Sequence, residues 1–153
     1  MTRFLAISIV SIFTCISCQQ DAYYEVNKSI DNREWNYNNK IKFDVSIDDR
    51  TAKYDIFINL RHQNSYDYAN IYLLFHQKGK SLQDTFLRKE IKLAELDGKW
   101  IGKSAGTVLE TQNIVHENFV FPDTGLYHFE IEQNMRVNPL KDIVDVGLKV
   151  VKK

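Results

Sequence analysis

The chain of 153 residues carries 20 basic and 20 acidic side chains, so no global field draws it to nucleic acid or to anionic lipid. Its 44% hydrophobic and 12% aromatic content describes a folded chain with a core, and the length fits one domain. Both cysteines, Cys15 and Cys18, lie at the start, which removes disulfides and thiol nucleophiles from the rest and leaves its stability to packing.

Met1-Thr2-Arg3 precedes an apolar run from Phe4 to Ile16, broken only by small or hydroxyl residues, and the chain turns polar at Gln19. A basic start, a short apolar stretch and a small residue before the cut predict a secretory signal over 1–17. The run is too short for the ~20 residues of a spanning helix. Ile16-Ser17-Cys18 resembles the end of a bacterial lipobox, where a small residue fits the signal peptidase and the cysteine thiol takes a diacylglycerol. Cys15 stands where most lipoboxes have leucine. Cys18 is therefore the expected lipidation site, carrying fatty acids such as palmitate, and the bilayer is its partner. The competing reading is an ordinary signal peptide with an incidental cysteine. Removal of 1–17 takes away one basic residue, Arg3, and leaves 19 basic against 20 acidic groups.

Residues 18–39 are rich in Asn and charge but hold Tyr23, Tyr24, Trp35 and Tyr37, too many aromatics for a flexible linker. They read as a tether followed by an arm packed on the domain, with Trp35 as its anchor. A single β-sandwich domain is expected over 40–153. Ile41, Phe43, Val45 and Ile47 alternate with polar residues and predict a half-buried strand. Asp48-Asp49-Arg50 ends it as a solvated turn, since the glycine of a calcium loop is missing around Asp44, Asp48 and Asp49.

Two further alternating runs, Tyr54, Ile56, Ile58, Leu60 and Ile71, Leu73, Phe75, predict a long antiparallel strand pair that forms the scaffold. Their connection, Gln63 to Tyr68, lacks a two-residue turn sequence, so the two strands are also compatible with different sheets. Arg61, His62, Tyr66 and Tyr68 concentrate there, with Asn70 beside them. Arg and Tyr favour interfaces, so Arg61, His62, Tyr66, Tyr68 and Trp100 are candidate partner-contact residues; a satisfied sandwich corner is the alternative.

Gly79-Lys80-Ser81 reads as a turn, Leu82 to Leu96 as a strand region, and Glu95 to Lys99 as another turn. GKWIGKSAG, residues 98–106, reads as a bend between sheets rather than a phosphate loop, because the spacing and the following helix are absent. Thr107 to Phe121 predicts a strand whose apolar positions shift along its length, as a bulge would make them. Asp123-Thr124-Gly125-Leu126-Tyr127 before a strand is similar to the tyrosine corner of immunoglobulin-like sandwiches. A terminal strand, Ile143 to Val151, is expected to bury Val144, Val146, Leu148 and Val150.

The four histidines, His62, His76, His116 and His128, show no short metal-ligand spacing, and no nucleophile elbow or nucleotide glycine pattern is present. The expectation is an all-β antiparallel sandwich of seven to nine strands, immunoglobulin-like or jelly-roll-like, with no enzyme activity and no cofactor.

N-L-R-H at 59–62, Tyr66, Tyr68, N-I-Y-L at 70–73 and D-G-K-W-I-G-K at 97–103 occur in that order. F-P-x-x-G-x-Y-x-F at 121–129, Q-x-M-R at 133–136 and D-V-G-L-K-V at 145–150 follow. Behind a lipoprotein signal, this set resembles the gliding-motility lipoproteins called GldH, with Gly106-Thr107 where Gly-Asp is expected. The resemblance implies a lipoprotein of the outer membrane, at its periplasmic face or at the cell surface. It further implies service in gliding and the associated protein-secretion machinery of Bacteroidetes-type bacteria, through other cell-envelope proteins. Only Cys18 carries over as a site. Two alternatives remain. A carbohydrate-binding sandwich lipoprotein needs coplanar, exposed aromatics from Tyr66, Tyr68, Trp100 and Trp35. A hydrolase needs paired carboxylates in a deep cleft.

Overall fold

The structure, a computed structural model, describes residues 22–153; the signal segment and Cys18 lie outside the described residues. Among the described residues, nine strands make two antiparallel sheets. The first is ordered β1 (Tyr24–Ser29), β11 (Ile143–Lys152), β4 (Tyr54–Gln63), β8 (Val108–Phe119) and β7 (Lys103–Ala105). The second is ordered β3 (Ile41–Ile47), β9 (Gly125–Gln133), β5 (Asn70–Lys78) and β6 (Thr85–Lys92). A two-residue pair, β2 (Glu34–Trp35) with β10 (Leu140–Lys141), closes one end. The sandwich expectation holds, with eleven strands instead of seven to nine. The surplus lies mainly in β2, β7 and β10, which are too short to leave an alternation pattern in the sequence.

Alternation dictates the layers. In β3, Ile41, Phe43, Val45 and Ile47 are buried while Lys42, Asp44 and Ser46 face water. In β4, Tyr54, Ile56, Ile58 and Leu60 are wholly buried, and they pack with Ile71, Leu73 and Phe75 of β5 in one core. The expected antiparallel pair of these two strands is corrected: they belong to opposite sheets and do not pair with each other, the alternative that the turn-poor connection between them left open. Phe121, 1% exposed, joins the layers through rings: it meets Tyr54 at 5.1 Å, Phe119 at 4.9 Å and Tyr127 at 4.5 Å.

Bulges explain where the apolar pattern slips. The β4–β8 register shifts at Ile56, so the core side of β8 passes from Leu109 and Thr111 to His116, and Ile114 turns outward. The β11–β4 register shifts between Ile143 and Asp145, which puts Ile143 in the core and leaves Val144 only half-buried. The expected core position at Val144 is thus corrected to Ile143.

The span read as tether and arm contains β1, fully paired with β11 from Tyr24↔Val150 to Ser29↔Asp145, so the folded body starts well before residue 40. One apolar residue and a mixture of charges in Glu25 to Ser29 gave no period to detect. Trp35 is wholly buried, with Nε1–H donating to Asn39 O at 2.8 Å, as an anchor requires.

The tyrosine corner is present. The Tyr127 hydroxyl lies 3.0 Å from Asp123 O, accepts from Asp123 N–H at 3.3 Å and also approaches the Asp123 carboxylate. Burial first, and then that carboxylate, push its pKa up to about 12. Gly79 lies under the ring, where a Cβ would stand 2.3 Å from Tyr127 Cε1, so only glycine fits. Tyr127→Phe keeps the ring and deletes the hydroxyl; the expected loss is about 1 kcal/mol in chemical denaturation. An unchanged midpoint would show that the corner does not hold the sheet.

Candidate functional site

The candidate residues gather where β4 ends, the 64–69 connection crosses between sheets and the 93–101 bend returns. Backbone bonds hold both loops. Asn64 N–H donates to Thr107 O at 2.8 Å, Leu93 N–H to Ala69 O at 2.7 Å and Ile101 N–H to Leu93 O at 2.8 Å. Gly102 permits the bend: its φ is +114°, and a Cβ there would stand 2.2 Å from the Glu110 carbonyl oxygen. The passage links β6 in one sheet to β7 in the other, as its glycines suggested.

Four rings form a chain. Trp100 meets His62 at 4.8 Å, His62 meets Tyr66 at 5.4 Å and Tyr66 meets Tyr68 at 5.6 Å. His62 is wholly buried and Tyr66 is 4% exposed, so these two are interior parts of a corner and not contact residues. The reason is parity: His62 continues the inward series Tyr54, Ile56, Ile58, Leu60. Tyr66 OH donates to Asn70 O at 3.2 Å, which satisfies its polar end. Burial pushes the Tyr66 hydroxyl pKa up. Tyr68 and Trp100 are half-buried and reach the surface.

Arg61 points to the opposite face. Its Nε–H donates to Asp145 Oδ2 at 2.6 Å, with a second, closer contact from Nη2. The Asp145 carboxyl is 2% exposed, while the Arg61 side chain is 43% exposed. Arg61 is thus a structural counterion with one wet side. Beside it, Asn59 donates to Glu25 Oε1 at 3.0 Å and accepts from Gln112 Nε2 at 3.0 Å, a polar row across the outer face of the larger sheet. An open groove of about 630 Å³ runs there, lined by Glu25, Lys103, Glu110, Gln112, Asn113 and Lys149. The sequence reading missed this row. Asn59 and Asp145 at outward positions of otherwise apolar strands were its only signal.

His62 bonds only at Nδ1, which donates to Gln63 O at 2.8 Å, and its Nε2 is buried without a partner among the described residues. Burial lowers its pKa, and likewise that of His116, packed against Phe75 and Phe119. An unfolded chain protonates both near pH 6.5, above the folded values, so it binds more protons in between. Stability is therefore complete above that pH and falls as pH drops through it, by up to about 1.4 kcal/mol per pH unit for each histidine. Unfolding midpoints between pH 7.5 and 5 measure this, and His62→Phe is expected to flatten the slope. An unchanged slope would remove His62 as its source.

Of the four aromatics a sugar-stacking platform would need, Trp35 and Tyr66 are buried, and Tyr66 and Tyr68 stand at 70° to each other, which leaves only Tyr68 and Trp100 with surface to offer.

Comparison with known proteins gives the relationship. A family model described as GldH lipoprotein matches residues 22–150. The chain is 34% identical to a gliding motility lipoprotein GldH homolog of Christiangramia forsetii, over 94% of this chain and 93% of that one. It is 27% identical to the gliding motility lipoprotein GldH of Flavobacterium johnsoniae, over 96% of this chain and 95% of that one. Among solved structures, an arabinose-bound α-L-arabinofuranosidase aligns with a TM-score of 0.37 at 9% identity, over 84% of this chain and 19% of the other, too distant to bear on fold or function. With both the described sandwich and nearly its whole length matched, this chain belongs to the GldH family of gliding-motility lipoproteins.

Proposed function

We propose that the protein is held at the outer membrane by fatty-acylated Cys18. There it serves the gliding and associated secretion machinery by touching other envelope proteins, without turning over a substrate. The match to relatives named gliding motility lipoproteins along 94% of the chain carries this reading. The lipobox-like Ile16-Ser17-Cys18 supplies the anchor.

The site chemistry supports contact over catalysis. The grooves are open, and the carboxylates of the smaller sheet are engaged: Glu132 with Lys40 at 3.1 Å and with His76 at 3.1 Å, Glu130 with Lys42 at 3.5 Å. Of the candidate contact residues, Tyr68 and Trp100 offer surface, with Arg61 presenting its wet side. His62 and Tyr66 support them from within.

The test is deletion of the gene with complementation, reading colony spreading and secreted protein. Loss of both on deletion, restored by the wild-type chain but not by Cys18→Ser at equal abundance, is the expected result. A deletion strain that spreads and secretes like its parent would overturn the assignment.

A further inference from the structure

We infer that the edge of β6 is a docking site for an extended segment of a partner protein, apolar at one end and acidic at the other, which adds a strand to the smaller sheet. The inference rests on the contact reading above and gives it a place and a chemistry.

The sandwich has four sheet edges, and they are treated differently. β1 and β3 face each other and are bridged by side chains: Lys28 Nζ donates to Lys42 O at 2.6 Å and, just before β1, Tyr23 OH to Ser46 O at 2.7 Å. β7 is three residues long. β6 is eight residues long, and nothing among the described residues bonds to the outer side of its backbone. A long edge left open is a template for another strand, and folded proteins ordinarily cover or shorten it.

The open groups can be assigned. Leu93, just past β6, directs its N–H to Ala69 O, just before β5. Tyr72 O of β5 accepts from Asn134 N–H at 2.7 Å, on the β9 side. In antiparallel strands alternate residues direct both backbone groups to the same neighbour. Ile91 therefore faces Ile71 of β5, and Phe86, Arg88, Glu90 and Lys92 direct theirs outward.

Side chains name the occupant. Phe86 is 66% exposed and Leu87 41%, adjacent large apolar residues on the two faces of one strand end. The other end carries Arg88 and Lys89 beside Lys92, which is paired with Glu95, and its acid Glu90 is bonded to Asn70 Nδ2 at 2.7 Å. Arg88 is held in place, its guanidinium 4.0 Å over the Tyr72 ring and its Nε–H donated to Asn134 Oδ1 at 2.9 Å. It lines a groove of about 350 Å³ with Tyr68, Tyr72, Met135, Arg136 and Val137, so two arginines flank apolar walls directly beside the edge. Carboxylates of an added strand would meet these cations, and its apolar residues would cover Phe86 and Leu87. Tyr68 ties the groove to the aromatic corner.

The test uses the full mature lipoprotein in detergent micelles. Its probes are blocked synthetic eight-residue peptides: one with valines in one half and alternating glutamate and threonine in the other, its lysine-for-glutamate counterpart, and a copy N-methylated at alternate amides. The acidic peptide is expected to bind and to slow hydrogen exchange at Phe86, Arg88, Glu90 and Lys92, with the other two at least about tenfold weaker. Glu90→Pro removes an outward N–H without touching the β5 ladder and adds no negative charge, so it is expected to lose binding while keeping the melting temperature. Arg88→Gln with Lys89→Gln tests the charges independently and should weaken binding and its salt dependence.

No binding by the acidic peptide, or equal binding by Glu90→Pro, overturns the docking site. A concentration-dependent dimer abolished by Glu90→Pro, with no peptide bound, overturns the acidic partner in favour of a second copy. These outcomes are read on purified protein and are independent of the deletion phenotype. A lost phenotype on deletion with a peptide-blind edge would sink this inference alone.

Discussion

Serine in place of Cys18 is expected to move the protein from the membrane fraction to the soluble fraction. The anchor is the thiol's alone to make, because a serine hydroxyl does not take the diacylglycerol in its place. Each buried methylene contributes about 0.8 kcal/mol, so one acyl chain holds a protein only marginally and two or more hold it stably. Among the described residues no helix is long and apolar enough to cross a membrane, and the whole chain carries equal numbers of acidic and basic groups. Removing the acyl group should therefore act as a switch rather than a gradation. Fractionation of cells and intact mass of the mature chain measure it: the wild type is expected to begin at residue 18 with acyl mass added. A Cys18→Ser protein that stays with the membrane would mean that another segment or a partner holds it.

Arg61→Met is expected to cost about 2–3 kcal/mol of folding stability. Breaking a buried ion pair by removing one partner ordinarily costs about 3–5 kcal/mol, because a desolvated charge is left behind. The lower figure applies because Arg61 is partly exposed, so water can reach the carboxylate once the guanidinium is gone. Asp145 has little else to turn to, since its Oδ1 has no partner among the described residues. Asp145→Asn in the same chain removes the stranded charge and should bring stability back to within about 1 kcal/mol of the wild type. Chemical denaturation of the four chains of this cycle measures the coupling. Additive losses would show that the pair is only a neighbourly contact. The same variants test whether Arg61 touches a partner: if its role is to neutralise Asp145, the double variant retains spreading and secretion.

The candidate site shows how much a strand pattern conveys. Alternation along Tyr54 to Leu60 was enough to place four side chains in the core, and extending it by two residues places His62 there as well. Parity on the strand outweighs residue type at His62, and Tyr66 is buried in the connection between the sheets although tyrosine favours interfaces. Conversely, Asn59 and Asp145 stand at outward positions of their strands and are nonetheless buried by their neighbours on a central sheet. Composition around β6 showed basic and apolar residues without showing that they share an edge.

By itself the sequence determined the all-β character and the long alternating strands, the tyrosine corner, the bend at Gly98 to Gly106 and the family, and it set the expectation of a signal and an anchor at Cys18. Each of these is written in local spacing or in a short motif, and a local pattern reports which face of a strand turns inward. Only the tertiary structure decided that β4 and β5 lie in opposite sheets, that β1 enters the larger one, that Asp145 needs Arg61, and that β6 is left as the open edge. Those depend on which distant strands become neighbours, and pairing across 80 or more residues, as between Arg61 and Asp145, leaves no trace in the period of either strand.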